Sequence, residues 1–362
     1  MRQNHLELQE FCAQMRKSGL EAVVTSSPNG VFHTTGALII THNPVRDRLA
    51  FSIITAGGRQ VLAVCKIEES LCRQDSWVDD VRTYVEFEEL PTALLARTLR
   101  DLGLSTAKIG IDLDYIRDKF FSELVQEAPS VNFVSADALL RQMQVRKPCQ
   151  LIERMAEAAT RIGVCIDEAM VKGAIGKSER HIRNEVRRRL AEGGADGSYL
   201  VVASGPNVMT PEHRAGNRVV KEGDILTIDV SASYDGYAAE AARSILVGGD
   251  GACERALAKV YSSVVSTVKA GVAGSEVYAQ AEAAAREEGC ALAAGPIGYA
   301  AGFGGRERPF IASGSPEKIS CGATIALDLA IKPRRAGLMR TKSVWLVSDE
   351  GATCLDRQWR DK

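Results

Sequence analysis

The stretch from Ile225 to Arg243 constrains this chain more than any other. It reads Ile225-Leu-Thr-Ile-Asp229-Val-Ser-Ala-Ser-Tyr234-Asp235-Gly236-Tyr237-Ala-Ala-Glu240-Ala-Ala-Arg243. An Asp-Gly pair between apolar runs marks a two-residue hairpin, because the tight turn needs positive φ at both central residues. With the turn there, Tyr234 faces Tyr237 and Ser231 faces Glu240. Side chains alternate along a strand, so Asp229 shares a face with Ser231 and hence with Glu240. A further acid, Asp328, sits in the apolar run Thr324-Ile-Ala-Leu-Asp328-Leu-Ala-Ile331. An ionised carboxylate is costly to bury unpaired, so each of the three predicts a metal, a cationic partner or a proton. Arg243 and Arg340 offer a purely structural pairing.

The rest of the chain supplies the frame. Residues 6–15 have the period of an amphipathic helix, and residues 21–25 form a short apolar strand closed by a turn cluster. Residues 49–55 and 60–64 read as strands joined across Ala-Gly-Gly, and 108–112 as another. Interleaved strands and helices define a small α/β unit over 1–147. Arg146-Lys147-Pro148 marks a break, since proline lacks the donor a helix interior needs. Residues 151–172 then predict a long helix. A second follows Ser178 as N-cap, with Ile182, Val186 and Leu190 on one face. Strands at 199–203, 224–233, 237–247, 323–331 and 343–347, with a helical stretch at 252–288, predict an α+β domain over 148–362.

Bulk properties narrow the function classes. A length of 362 residues fits two domains. Net charge is -1 with Lys and Arg spread along the chain, so nothing marks a nucleic-acid or membrane partner. No apolar run approaches the ~20 residues of a membrane helix, and the N-terminus carries no signal-peptide core. The nine cysteines are scattered without a CxxC pair, which favours reduced thiols and a cytoplasmic setting.

Several segments, in order, resemble the pita-bread superfamily of creatinase, prolidase, aminopeptidase P and methionine aminopeptidase. They are Gly205-Pro206-Asn207; Gly223-Asp224 running into Asp229; the Gly236-Tyr237 arm with Arg243; the loop from Gly298 to Gly302 followed by Arg306-Glu307-Arg308-Pro309; the strand from Gly322 to Asp328; and the hairpin from Gly337 to Gly351. The N-terminal half is similar to the creatinase/prolidase N-domain in Ser26-Ser27-Pro28-Asn29, in Thr35-Gly36 and in the Val145-Arg-Lys-Pro approach to the long helix. The resemblance implies a pita-bread C-terminal domain behind a smaller α/β creatinase/prolidase-like N-terminal domain. It also implies a homodimer.

Metal-dependent members of that family use two Asp, one His and two Glu. Carried across by spacing, Asp229 matches the first Asp, Glu240 stands for the second, Tyr299 replaces the His, Asp328 replaces the first Glu and Thr341 the last. A neutral Tyr is a poor ligand, and a dinuclear site needs bridging carboxylates. The resemblance therefore implies no resident metal and no cofactor, with a single weakly held Mg²⁺ or Mn²⁺ on the three acids as the residual option. Three acids without metal would form a negative pocket suited to a cationic or zwitterionic small molecule. Creatinase, a metal-independent relative that hydrolyses a C–N bond with a His as acid/base, is the precedent. His213 is the general acid/base candidate, although Glu212 falls on the family's His position. Glu240, Tyr299 and Asp328 complete the catalytic set. Asp229, Tyr237, Arg306, Glu307 and Thr341 are candidate substrate contacts, with Arg46 and Arg48 of the N-domain as more distant ones. The leading expectation is thus a metal-independent, creatinase-like enzyme. A non-catalytic binding or scaffold protein and an aberrant metallo-aminopeptidase or dipeptidase stand as alternatives.

Overall fold

A computed structural model describes residues 7–42, 44–147, 149–171, 173–302, 306–333 and 337–356. The chain divides into two compact units, Met1–Gln144 and Val145–Lys362. Pro148 and residues 303–305 of the glycine loop lie outside the described residues.

The first unit is a six-stranded mixed sheet. Its spatial order is Val81–Tyr84, Gln60–Cys65, Phe51–Thr55, Ala22–Thr25, Lys108–Ile111 and Asn132–Ser135. The Phe51–Thr55 and Gln60–Cys65 strands pair antiparallel, as the Ala-Gly-Gly link predicts. Both faces are covered. Phe51, Ile53, Leu95, Leu99 and Ile109 bury on one side, and Phe11, Met15, Val23 and Ile54 on the other. Ser27 caps the helix Pro28–Thr35 by accepting from the Gly30 N–H.

The second unit is an antiparallel sheet in the order Glu307–Ile311, Gly298–Ala300, Thr324–Pro333, Met339–Val347, Tyr237–Leu246, Ile225–Tyr234 and Gly197–Ser204. The expected hairpin is present with its register: Tyr234 pairs with Tyr237 and Ser231 with Glu240. Asp235 at φ 52° and Gly236 at φ 81° make the turn. The stretch expected as one helix from 252 to 288 is two, Ala252–Thr267 and Gly274–Glu287. Residues 268–273 separate them, with Gly271 at φ 85°, a left-handed conformation that ends a helical run and that glycine adopts without steric cost.

Strand alternation sorts the second unit into two faces. Ile325, Leu327, Leu329 and Ile331 join Met339, Trp345 and Val347 in a core with Val260, Tyr261, Val264, Val277 and Ala281 of these two helices. Trp345 Nε1 donates to the Tyr261 hydroxyl at 2.9 Å, which fixes both rings. The even-numbered residues of the same strands, including Asp328, face the other way.

Candidate functional site

Five ionisable side chains converge on that second face. Asp229 and Glu240 come from the hairpin, Asp328 from the Thr324–Pro333 strand, and Arg340 and Lys342 from Met339–Val347. Lys342 pairs with Asp328 across one ladder and with Ala242 across the other. Its ammonium therefore projects between acids of three strands. Nζ donates to Asp229 Oδ1 at 2.7 Å and to Glu240 Oε2 at 2.9 Å. Arg340 Nη1 lies 2.7 Å from Asp229 Oδ2. The same guanidinium grips Asp328 with Nε at 2.5 Å and with Nη2 as well. Tyr299 donates its hydroxyl proton to Glu240 Oε2 at 2.5 Å. Asp229, Glu240, Asp328 and Lys342 are only 7%, 8%, 8% and 4% exposed, so these charges meet in a nearly dry space.

The electrostatics follow from that burial. For Asp328, desolvation pushes the pKa up, but the Arg340 hydrogen bond and the Lys342 and Arg340 charges outweigh it, so the net shift is downward. For Lys342, desolvation works against the charged form. Asp229, Glu240 and Asp328 win, and the pKa rises. Tyr299 is raised, mainly by burial, so it keeps its proton. Lys342, with a raised folded pKa, contributes stability that is fully present below the unfolded Lys value near ~10.4 and is lost only above it. Asp328, with a depressed folded pKa, contributes stability present above ~3.9 and lost as pH falls through its folded value. The unfolding free energy of the second unit is therefore expected to show no loss from these two groups between about pH 5 and 9 and a loss below about pH 4. Chemical denaturation at stepped pH reads this directly.

The expected site residues divide. The structure brings Asp229, Glu240, Tyr299 and Asp328 together. Arg306 stands beside them with its guanidinium 4.9 Å from the Tyr299 ring centroid. Thr341 does not join them. It lies on the opposite strand face, opposite Leu329, and the side chain that meets the acids is that of its neighbour Lys342. Tyr237 also faces away, three positions from Glu240 on a regular strand. Burial pushes its hydroxyl up to about 12. His213 is engaged by Glu179, with Nε2 2.9 Å from Glu179 Oε2, and Glu212, which accepts from the Tyr199 hydroxyl at 2.7 Å, lines a cavity beside the cluster. Glu307 pairs with the buried Lys147 at 3.0 Å. Arg48 belongs to the first unit and is taken up by Glu86 at 2.7 Å and Glu68 at 3.7 Å, while Arg46 there is exposed. Of the two arginines weighed as structural partners, Arg340 fills that role. Arg243 instead reaches Asp356 at 3.2 Å and the Lys342 carbonyl at 2.8 Å.

A second network was not foreseen. Glu179, fully buried at the first turn of Glu179–Glu192, accepts on Oε1 from the Ser204 N–H, the Ser204 hydroxyl and Asn207 Nδ2 at 2.8–2.9 Å. On Oε2 it meets His213 and the Gly216 N–H. Arg218 extends the chain by donating to Ser204 Oγ and holding Asp224 with two bonds of 2.7 Å. Gly205 takes φ +53°, and a Cβ there would come within 2.3 Å of Arg218. The capping position was readable at Ser178. That the next residue carries a network of five donors was not.

A cavity of about 180 Å³ opens beside the cluster. Thr210, Glu212, Arg306, Asp328 and Arg340 supply its polar lining, and Val201, Ile297 and Leu338 are among its apolar walls. It is small against the ~300–1,000 Å³ of typical ligand clefts.

Metallopeptidase family M24 matches residues 153–349, and the creatinase/prolidase N-terminal domain matches residues 8–145. The chain belongs to family M24, with the two-domain pita-bread architecture. It is similar to the Xaa-Pro dipeptidase of Pyrococcus horikoshii, with 22% identity covering 96% of this chain and 95% of the relative. A similar match is the Xaa-Pro dipeptidase of Pyrococcus furiosus, at 22% identity over 98% of both. The structure of an Xaa-Pro dipeptidase from Bacillus anthracis superposes with a TM-score of 0.84 at 20% identity, over 97% of each chain.

These findings overturn the expected creatinase-like enzyme for a cationic metabolite. The curated relatives matched end to end are dipeptidases. The acids that were to receive a cationic substrate are moreover already neutralised by Arg340 and Lys342. The family name implies a metal, and the donor set does not fit one. Metal sites of this kind need ionised carboxylates with free lone pairs around adjacent cations. Here an ammonium stands between the two hairpin acids, a guanidinium takes both oxygens of the third, and Tyr299 is a neutral phenol. Among the described residues no group of three or more His, Cys, Asp and Glu is placed to hold a metal ion. Among them, too, no helix is long and apolar enough to cross a membrane.

Proposed function

We propose that this protein recognises the ligand class of its dipeptidase relatives, a short peptide with a free carboxylate, and holds it without two-metal activation of water. The observation that carries the reading is Lys342 Nζ hydrogen-bonded to both Asp229 and Glu240. With those acids engaged, the polar groups left for a ligand lie on the cavity lining. Arg306 offers a guanidinium to a carboxylate, and Glu212 offers an acceptor to an ammonium. A dipeptide zwitterion carries both, and the apolar walls suit a ring such as proline.

The end-to-end similarity to Xaa-Pro dipeptidases favours a second reading, hydrolysis of such a peptide by a member of a hydrolase family. The two separate in one experiment. Purified protein is incubated with Xaa-Pro and other dipeptides, with and without Mn²⁺, Co²⁺ or Zn²⁺, and thermal midpoint and released amino acid are read together. A dipeptide-dependent rise in midpoint without release supports recognition alone. Metal-dependent release of proline decides for hydrolysis, and no rise with any dipeptide removes the recognition reading. Arg306→Ala is expected to weaken dipeptide binding about 10–100-fold, the worth of a hydrogen bond to a charged group, and calorimetric titration measures it.

A further inference from the structure

The ammonium of Lys342 occupies the point on which oxygens from two strands converge. Its distances to Asp229 and Glu240, 2.7 and 2.9 Å, are those of charge-assisted hydrogen bonds. A hard divalent cation binds carboxylate oxygens at about 2.0–2.6 Å, so the oxygens would have to close by a few tenths of an ångström for the larger ions and by up to ~0.9 Å for the smallest. Like a bridging metal, the ammonium ties the hairpin arm to the Met339–Val347 strand. Without a cation there, Asp229 and Glu240 would face each other in a nearly dry space and repel.

We infer that Lys342 is a built-in cation doing the cross-linking work of a metal, and that exchanging it for a carboxylate turns the cluster into a divalent-cation site. The inference concerns the cluster alone and does not depend on what the cavity binds. Lys342→Glu removes the only ammonium that contacts Asp229 and Glu240 among the described residues and adds an acid at the same strand position. The resulting all-oxygen donor set suits Mn²⁺, Mg²⁺ or Ca²⁺ over softer metals. Arg340 stays on Asp328 and Asp229 and limits the new site to a single ion.

The test uses the full chain and needs no substrate. Wild type, Lys342→Met, Lys342→Arg and Lys342→Glu are titrated with MnCl₂ and CaCl₂ by calorimetry, and thermal midpoints are read in EDTA and in excess metal. Wild type and Lys342→Arg are expected to keep the same midpoint in EDTA and in Mn²⁺. Lys342→Met is expected to fall in midpoint and gain nothing from metal. Lys342→Glu is expected to fall further in EDTA and to regain about 5–10 °C at a metal concentration ~100-fold above Kd, with one ion bound per chain. If Lys342→Glu folds only when prepared in Mn²⁺, that supports the inference equally. Tight Mn²⁺ binding by wild type overturns it. So does a Lys342→Glu chain that binds no metal, or that stays unfolded with metal present.

Discussion

Replacing Arg340 with methionine is expected to destabilise the second unit by about 3–5 kcal/mol, among the largest effects of any single change in this protein. Methionine fills most of the volume of the arginine stem but returns none of its charge. Asp328 would lose both bonds to the guanidinium, and Asp229 would lose one of its two cations. The cost arises from a carboxylate left uncompensated in the interior rather than from the intrinsic worth of the pair. The Arg340→Met/Asp328→Leu double variant should therefore recover most of the loss, because it removes the orphaned acid with its partner. Urea denaturation of the three proteins at neutral pH measures both effects. A double variant as unstable as the single one would show that Arg340 acts through packing, not charge.

The second large effect is expected at Glu179. Truncation to alanine should cost about 3–5 kcal/mol, because the carboxylate satisfies donors from Ser204, Asn207, His213 and Gly216 in a buried setting. Glutamine keeps the shape but presents an amide N–H₂ where one pair of donors points, so Glu179→Gln should recover only part of the loss. The charge matters in a second way. Burial pushes the Glu179 pKa up, but hydrogen bonds from Asn207, His213, Gly216 and Ser204 bring it below its ordinary value. A depressed carboxylate stabilises the fold above its unfolded pKa, near ~4.3, and that contribution is lost as pH falls through the lower folded value. The gap between wild type and Glu179→Gln should therefore shrink in acid, which denaturation at pH 3 and pH 7 would show.

Much of the architecture was legible in local chemistry. The Asp235-Gly236 turn set the register of the central hairpin, and that register placed Asp229 and Glu240 on one face. Ser178 announced the helix whose Ile182, Val186 and Leu190 are buried. The misreadings have physical causes. The strand expected over 343–347 begins at Met339 and runs through Lys342. Family spacing placed Thr341 at the cluster; Lys342 stands there instead, since one residue along a strand is the other face of the sheet. His213 drew attention as an unassigned imidazole, but its bond goes to Glu179, 34 residues earlier in the chain.

By itself, the sequence determined what depends on neighbours along the chain: turns, caps, helix faces and the alternation that buries acids in apolar strands. Only the tertiary structure decided how those acids are neutralised. The cations that meet them arrive on the Met339–Val347 strand, about a hundred residues beyond the hairpin, and hydrogen bonding between strands sets which of its side chains face inward. Charge pairing is a distance-dependent property of the folded chain. The same three carboxylates could serve a metal, a substrate or cationic side chains, and the register of one strand selects Arg340 and Lys342.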